Sequence, residues 1–280
     1  MTGFIPQGFK RSFCIAMTFA GLCVGLSTNA VAQVSRDEYV DVNGSRLHVK
    51  LMGEQFRSDD SITVVLDAGG GADSTQWATL QPMLVDELKT VVVSYDRFGF
   101  GESDLPETPY DIRNEVAALH TALAELGLSD CVILVGHSFA GLTIHNYAVQ
   151  WPEEVKGLLF LDPNSAGAMI ALKQMLFAQP PNPDPQTKRE RALERVNSSL
   201  MDTMTLTYQN PLPPQTRIIV ISAENGLFRT DRLDLAFKLS HQLLAASVEN
   251  GKHVLATGSG HNIPGDRADL VIASVRELME

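Results

Sequence analysis

The sequence predicts an α/β protein, with a doubly wound, mostly parallel sheet of about eight strands flanked by helices and interrupted by a helical cap. Three observations carry this. Short apolar runs bounded by turn residues recur from residue 62 onward, most of them separated by helical stretches, which is the rhythm of parallel strands joined by crossovers. Asn43-Gly44 stands between two alternating runs and signals an antiparallel hairpin ahead of them. The third is Gly136-His137-Ser138-Phe139-Ala140-Gly141, which follows an apolar run at 132–135 and precedes a helix-compatible stretch at 142–150. It reads as a sharp strand-to-helix turn with a serine at its tip.

Taken in order, the chain opens with Lys10 and Arg11 ahead of an apolar run over 13–26, followed by Ala30-Val31-Ala32. This is the layout of an export signal cleaved between Ala32 and Gln33. The run is shorter than the ~20 residues a spanning helix needs. Neither Cys14 nor Cys23 follows the small residue that a lipoprotein signal requires. The expectation is a leader over 1–32 and a body over 33–280 that is exported, periplasmic or secreted, without a membrane span. Within the body, strands are expected at 39–42 and 47–51, then at 62–66, 91–94, 132–135, 158–161, 217–221 and 253–256. Apolar residues at helical spacing predict helices over 112–126, ending at Gly127, and over 267–279.

The stretch 164–214 breaks this rhythm. It is long, carries Pro180-Pro181-Asn182-Pro183-Asp184-Pro185, and reads as an inserted cap. Its Met169, Ile170, Leu172, Met175, Leu176 and Phe177 form an apolar stripe whose default role is packing and whose alternative role is lining a pocket.

Composition excludes several classes. The chain holds 33 acidic against 22 basic residues, and Lys10 and Arg11 belong to the leader, so the body is more acidic still. Nucleic acid and anionic membranes are poor partners for it. No repeat, low-complexity tract, Cys/His cluster or H-E-x-x-H pattern points to an array or a metal, and no cofactor is expected. Cys131 is the one cysteine left after leader removal, so no internal disulfide forms, and its place before an apolar run suits a small core residue.

The chemistry centres on Ser138. A serine at such a turn sits in a strained backbone, so the residues two before and two after must be small, and Gly136 and Ala140 are. A serine hydroxyl needs a base, and of the seven histidines His261 is the best placed. It lies in Gly258-Ser259-Gly260-His261-Asn262, after the last strand and before the last helix, where parallel sheets put their sites. His48, His120, His145, His241 and His253 fall within predicted elements. His137 adjoins the serine but should point away from it. The acid that orients the base is read as Asp162, which ends strand 158–161, with Glu224, which follows strand 217–221, as the alternative. Asp67-Ala68-Gly69-Gly70-Gly71 supplies bare backbone for an oxyanion, with Gly70 N–H and Phe139 N–H as the expected donors. A phosphate cradle is the other use of such a loop, but no G-x-G-x-x-G or Walker pattern accompanies it.

The turn, the glycine loop and the late histidine, in the order serine, acid, histidine, resemble the α/β-hydrolase superfamily. The likeness runs from Tyr39 to the C-terminus and includes Tyr95-Asp96-Arg97-Phe98-Gly99-Phe100-Gly101-Glu102-Ser103. Ala68-Gly69 stands where the family usually has His-Gly, so the resemblance passes the donor role to Gly70. Some members take their acid where Asp162 stands and others where Glu224 stands. The serine nucleophile argues against the aspartate chemistry of haloalkane dehalogenases and epoxide hydrolases. The resemblance implies a serine hydrolase acting on a small-molecule acyl substrate, with a carboxylic ester as first expectation. Lactone, amide or peptide cleavage, perhydrolysis and acyl transfer are further reactions of such a triad. A catalytically weak binding protein on the same fold is the rival of a different class.

Overall fold

Asn43 and Gly44 both take positive φ, 55° and 82°, and turn the chain between β1 (Arg36–Val42) and β2 (Ser45–Met52). Positive φ at both turn positions gives a hairpin the twist its strands need. The computed structural model describes residues 1, 34–58, 60–168, 184–228 and 230–280. The chain divides into residues 1–32 and 33–280, and the second unit is the body described here. Apart from Met1, the leader expected over 1–32 lies outside the described residues, as does the cap stripe from Met169 to Phe177.

After the hairpin come β3 (Thr63–Asp67), β4 (Val91–Tyr95), β5 (Val132–His137), β6 (Val155–Leu161), β7 (Arg217–Ala223) and β8 (Asn250–Ala256). They form one eight-stranded sheet in the order β1-β2-β4-β3-β5-β6-β7-β8. The β1–β2 and β2–β4 pairs are antiparallel and every later pair is parallel. β3, β4 and β5 are buried along their whole length. Central parallel strands covered on both faces read as unbroken apolar runs, which is why the sequence exposes them.

The flanking helices are α1 (Leu80–Leu88), α2 (Ile112–Glu125), α3 (Ala140–Gln150), α4 (Lys188–Ser198), α5 (Leu200–Gln209), α6 (Asp231–Ala245), the short turn α7 (Ile263–Asp266) and α8 (Ala268–Met279). Two cores result, one on each face of the sheet. Tyr95, Leu119, Leu142, Tyr147, Phe160 and Phe237 belong to one; Leu66, Trp77, Leu84, Ile133, Ile221 and Val275 belong to the other. α4 and α5 fall between β6 and β7, inside the expected insertion, and α4 starts with a capping box in which Thr187 and Glu190 satisfy each other's backbone N–H groups.

Several strands run longer than their apolar signal, β6 and β8 among them. β6 begins at Val155, adding Lys156 and Gly157, and β8 begins at Asn250, adding Gly251 and Lys252. The start of β6 is half-buried and that of β8, on the sheet edge, is exposed, so neither end demands apolar side chains. Cys131 is half-buried at the strand entrance, and the core position expected for it is corrected: the apolar cover begins one residue later, at Val132. Among the described residues no helix is long and apolar enough to cross a membrane.

Candidate active site

Strand register sets the site. Asp67 pairs with Gly136, His137 with Leu161, Leu161 with Ile221, and Ala223 with Ala256, so β3, β5, β6, β7 and β8 end on one rim. The loops leaving that rim carry Gly69 and Gly70, Ser138, Asp162, Glu224 and His261.

Ser138 and Asp162 are both held at positive φ, 54° and 43°, a region that costs a side-chain-bearing residue on the order of 1–3 kcal/mol. Neighbouring backbone holds each in place. Ser138 N–H donates to Leu161 O at 3.0 Å, while its carbonyl accepts from Asn164 at 2.8 Å and Gly141 at 3.0 Å; Asp162 N–H donates to Ile221 O at 2.7 Å. Space explains the small residues of the turn. A methyl group added at Gly136 would lie 2.8 Å from Ala140 O, and one at Gly141 would lie 2.6 Å from Pro163 Cβ. Ala140 is fully buried without such a conflict, so the turn accepts one methyl group there.

His261 Nδ1 lies 2.6 Å from Asp162 Oδ2. Asp162 is 1% exposed, while a quarter of the imidazole remains accessible, so the carboxylate end of the pair is buried and the ring end is reachable. Asp162 Oδ1 accepts from Ala223 N–H at 3.0 Å. Burial pushes the Asp162 carboxyl up, but the bond from His261, the nearby His241 and the Ala223 N–H outweigh it and hold the group below the usual carboxylate range. Glu224 does something else. It is exposed, and its Oε2 accepts from Gly258 N–H at 2.8 Å, bracing the loop that leads to His261 without touching the ring.

His137 departs from the expectation that it points away. Its Nε2 donates to the backbone carbonyl of His261 at 2.8 Å, and its ring centroid lies 4.7 Å from that of His261. A carbonyl only accepts, so Nδ1 is bare and takes a hydrogen bond from Gln76 Nε2 at 3.2 Å. Gln76 Oε1 in turn accepts from Gly69 N–H at 3.0 Å. Burial and the neighbouring His261 push the His137 imidazole down to about 4, so it works here as a neutral ring. Gln76 carries no sequence signal, because the link from glycine loop to base loop exists only once the rim is assembled.

Arg97 anchors the same loop from below. Its Nη1 donates to Asp67 Oδ1 at 2.5 Å and to the carbonyl of Ala68, and its Nη2 donates to Gly69 O at 2.5 Å. Its guanidinium also lies over the Phe139 ring, 5.3 Å from the centroid. With the carbonyls pulled down and Gly69 N–H occupied by Gln76, Gly70 N–H is left over. Neither it nor Phe139 N–H donates to a protein acceptor among the described residues. The two residues are neighbours, since a Cβ built on Gly70 would stand 3.4 Å from Phe139 Cβ. Two free donors side by side, next to a serine, can stabilise negative charge on an oxygen.

Three further histidines serve packing and loops. His48 Nδ1 binds Asp96 at 2.8 Å, His120 stacks on Trp151 with centroids 4.1 Å apart, and His145 Nε2 donates to Asn210 O at 2.9 Å. Among the described residues no group of three His, Cys, Asp or Glu could hold a metal ion.

Comparison with known proteins agrees with this architecture. A bovine (Bos taurus) (lyso)-N-acylphosphatidylethanolamine lipase is 27% identical over 127 residues, covering 43% of this chain and 35% of the lipase. The 2-hydroxy-6-oxo-6-(2'-aminophenyl)hexa-2,4-dienoic acid hydrolase of Metapseudomonas resinovorans is 28% identical over 149 residues, covering 52% of this chain and 49% of the hydrolase. The chain therefore spans half or less of these curated relatives. The crystal structure of the enol-lactonase from Burkholderia xenovorans LB400 superimposes with a TM-score of 0.60 at 20% identity, over 86% of this chain and 99% of that one, a likeness of fold. The sequence model of the Alpha/beta hydrolase family matches residues 64–274, the stretch from β3 into α8, and the chain belongs to that family.

Proposed function

We propose that the protein is an exported serine hydrolase that cleaves a carboxylic ester or a related acyl bond through an acyl-enzyme. The observation that carries this reading is the 2.6 Å bond between His261 Nδ1 and the buried carboxylate of Asp162, on the same strand rim as a serine held at positive φ. In this reading Ser138 Oγ attacks the carbonyl carbon and its proton passes to His261 Nε2. Asp162 keeps the Nδ1–H tautomer and stabilises the imidazolium that forms. The carbonyl oxygen gains charge between Gly70 N–H and Phe139 N–H. The proton on His261 then leaves with the alcohol, and water, deprotonated by the same ring, releases the acid and regenerates Ser138.

The lipase, hydrolase and lactonase names among the relatives favour acyl chemistry, and the serine in place of an aspartate favours an acyl-enzyme over an alkyl-enzyme. For export, the support is the order of Lys10-Arg11, the apolar run and Ala30-Val31-Ala32. A panel of short-chain nitrophenyl esters, lactones and amides, run beside Ser138→Ala, tests the proposal. The expected result is turnover of at least one acyl class by the wild type, lost by about 10³-fold or more in the variant. Equal turnover by both proteins would refute it.

A further inference from the structure

Near Asp162 Oδ1, the carboxylate oxygen that His261 does not bind, lies a second run of polar groups that the chemistry above does not use. His241, on α6, is fully buried. Its Nε2 is 2.9 Å from Pro163 O, its Nδ1 is 2.7 Å from Ser222 Oγ, and the same Nδ1 lies 3.8 Å from Asp162 Oδ1. Ser222 Oγ is 2.8 Å from Nε2 of the half-buried His253 on β8. Hydrogen-bonding rules give this run a direction. A carbonyl oxygen only accepts, so His241 carries its proton on Nε2 and donates it to Pro163 O. Burial keeps the ring neutral, so Nδ1 is a bare acceptor and takes the Ser222 hydroxyl proton. Ser222 Oγ then accepts from His253 Nε2–H. The Phe237 ring closes the site edge-on, 4.5 Å from the His241 centroid.

The run ends on one of the two positive-φ turns of the site. Asp162 sits at φ 43°, outside the range an aspartate prefers, and its carboxylate serves His261 only while that turn stays put. We propose that His253, Ser222 and His241 form a buried brace on the Asp162-Pro163 turn, which makes His241 a positioning residue for the Asp162–His261 pair. This rests on the reading of Ser138, His261 and Asp162 as the catalytic set. The brace crosses β8, β7 and α6 to the end of β6, so it ties the turn to three other elements of the fold.

His241→Phe keeps a ring and deletes both hydrogen bonds, whereas His241→Gln keeps a donor for Pro163 O and an acceptor for Ser222. For the Phe variant kcat should fall by about 10 to 10²-fold with KM held within about twofold, because a small shift of the carboxylate misaligns the base without touching substrate. The downfield proton resonance of His261 Nδ1–H should broaden or vanish in the same variant. His241→Gln should recover kcat to within about threefold and restore the resonance. Wild-type kcat and an unchanged resonance in His241→Phe, beside inactive Ser138→Ala and Asp162→Asn, would overturn the brace and leave the triad standing. Full turnover by Ser138→Ala would remove the catalytic reading and the brace with it. If His241→Phe does not fold, Ser222→Ala decides: a loss of about fivefold in kcat at constant KM supports the brace, and an unchanged kcat overturns it.

Discussion

Replacing Asp162 by asparagine is the perturbation that separates the two acids the sequence leaves open. In the wild type the carboxylate is 2.6 Å from His261 Nδ1 and shielded from water, so in the proposed mechanism it faces the positive charge that forms on the ring as Ser138 loses its proton. Two unit charges centred roughly 4 Å apart at an effective dielectric constant of about 20 attract by about 4 kcal/mol, close to three decades of rate. Asparagine adds a second loss. Its amide can donate to Nδ1, which moves the ring proton to Nε2, the atom that must accept from the serine; the combined loss expected is about 10⁴-fold in kcat. Glu224→Gln leaves an amide oxygen able to accept from Gly258 N–H, so its kcat should stay within about threefold of wild type. Steady-state kinetics on a short nitrophenyl ester, with urea unfolding curves to verify the fold, reads both. A near-normal rate in Asp162→Asn combined with a 10⁴-fold loss in Glu224→Gln would refute the assignment.

Acid should destabilise the fold in two stages. His137 and His241 are held down to about 4 by burial, against about 6.5 in the unfolded chain. The unfolded state binds more protons between those values, so stability is complete above about pH 6.5 and declines as pH falls toward 4, by roughly 3 kcal/mol per ring at the lower end. Asp162, held low, and Asp96, held at about 2 where its bonds from His48 and from the Glu102 and Ser74 N–H groups outweigh burial, extend the loss below the unfolded carboxylate range. Urea midpoints at pH 7 and 4.5 check this, and equal midpoints would contradict it. Arg97→Met should cost about 3–5 kcal/mol, because Asp67 is left charged and buried, and Asp67→Asn in the same chain should restore part of that; a midpoint unchanged by Arg97→Met would contradict the anchor. Exported protein should begin at Gln33 on N-terminal sequencing, and a start well before it would contradict the proposed cleavage.

Local sterics and periodicity made much of this molecule legible, and long-range contacts hid the rest. The central strands announce themselves because a parallel strand covered on both faces has to be apolar, as Val91–Tyr95 is. The serine turn does so because a positive φ at Ser138 forces small residues around it. The choice between Asp162 and Glu224 was not legible, since both end neighbouring strands of one rim. In the folded chain the Gly258–His261 loop sets His261 against Asp162 and leaves Glu224 on the Gly258 N–H. His137, His241, Ser222 and Gln76 gave no functional sign for the same reason, since, apart from the Gln76–Gly69 bond, the partners named for them are 19 to 124 residues away. Arg97 stood in a recognisable motif, but its grip on the Asp67 carboxylate and the Ala68 and Gly69 carbonyls depends on β3 and β4 lying side by side.

The central claim is that Ser138 is an activated nucleophile, and a serine-directed phosphonate tests it most directly. Intact mass and peptide mapping after incubation should find one adduct per chain, on Ser138, with loss of ester turnover in step with labelling. Labelling should slow sharply in Asp162→Asn. An unlabelled Ser138 in folded protein, or an adduct on another residue with turnover unaffected, would contradict the account.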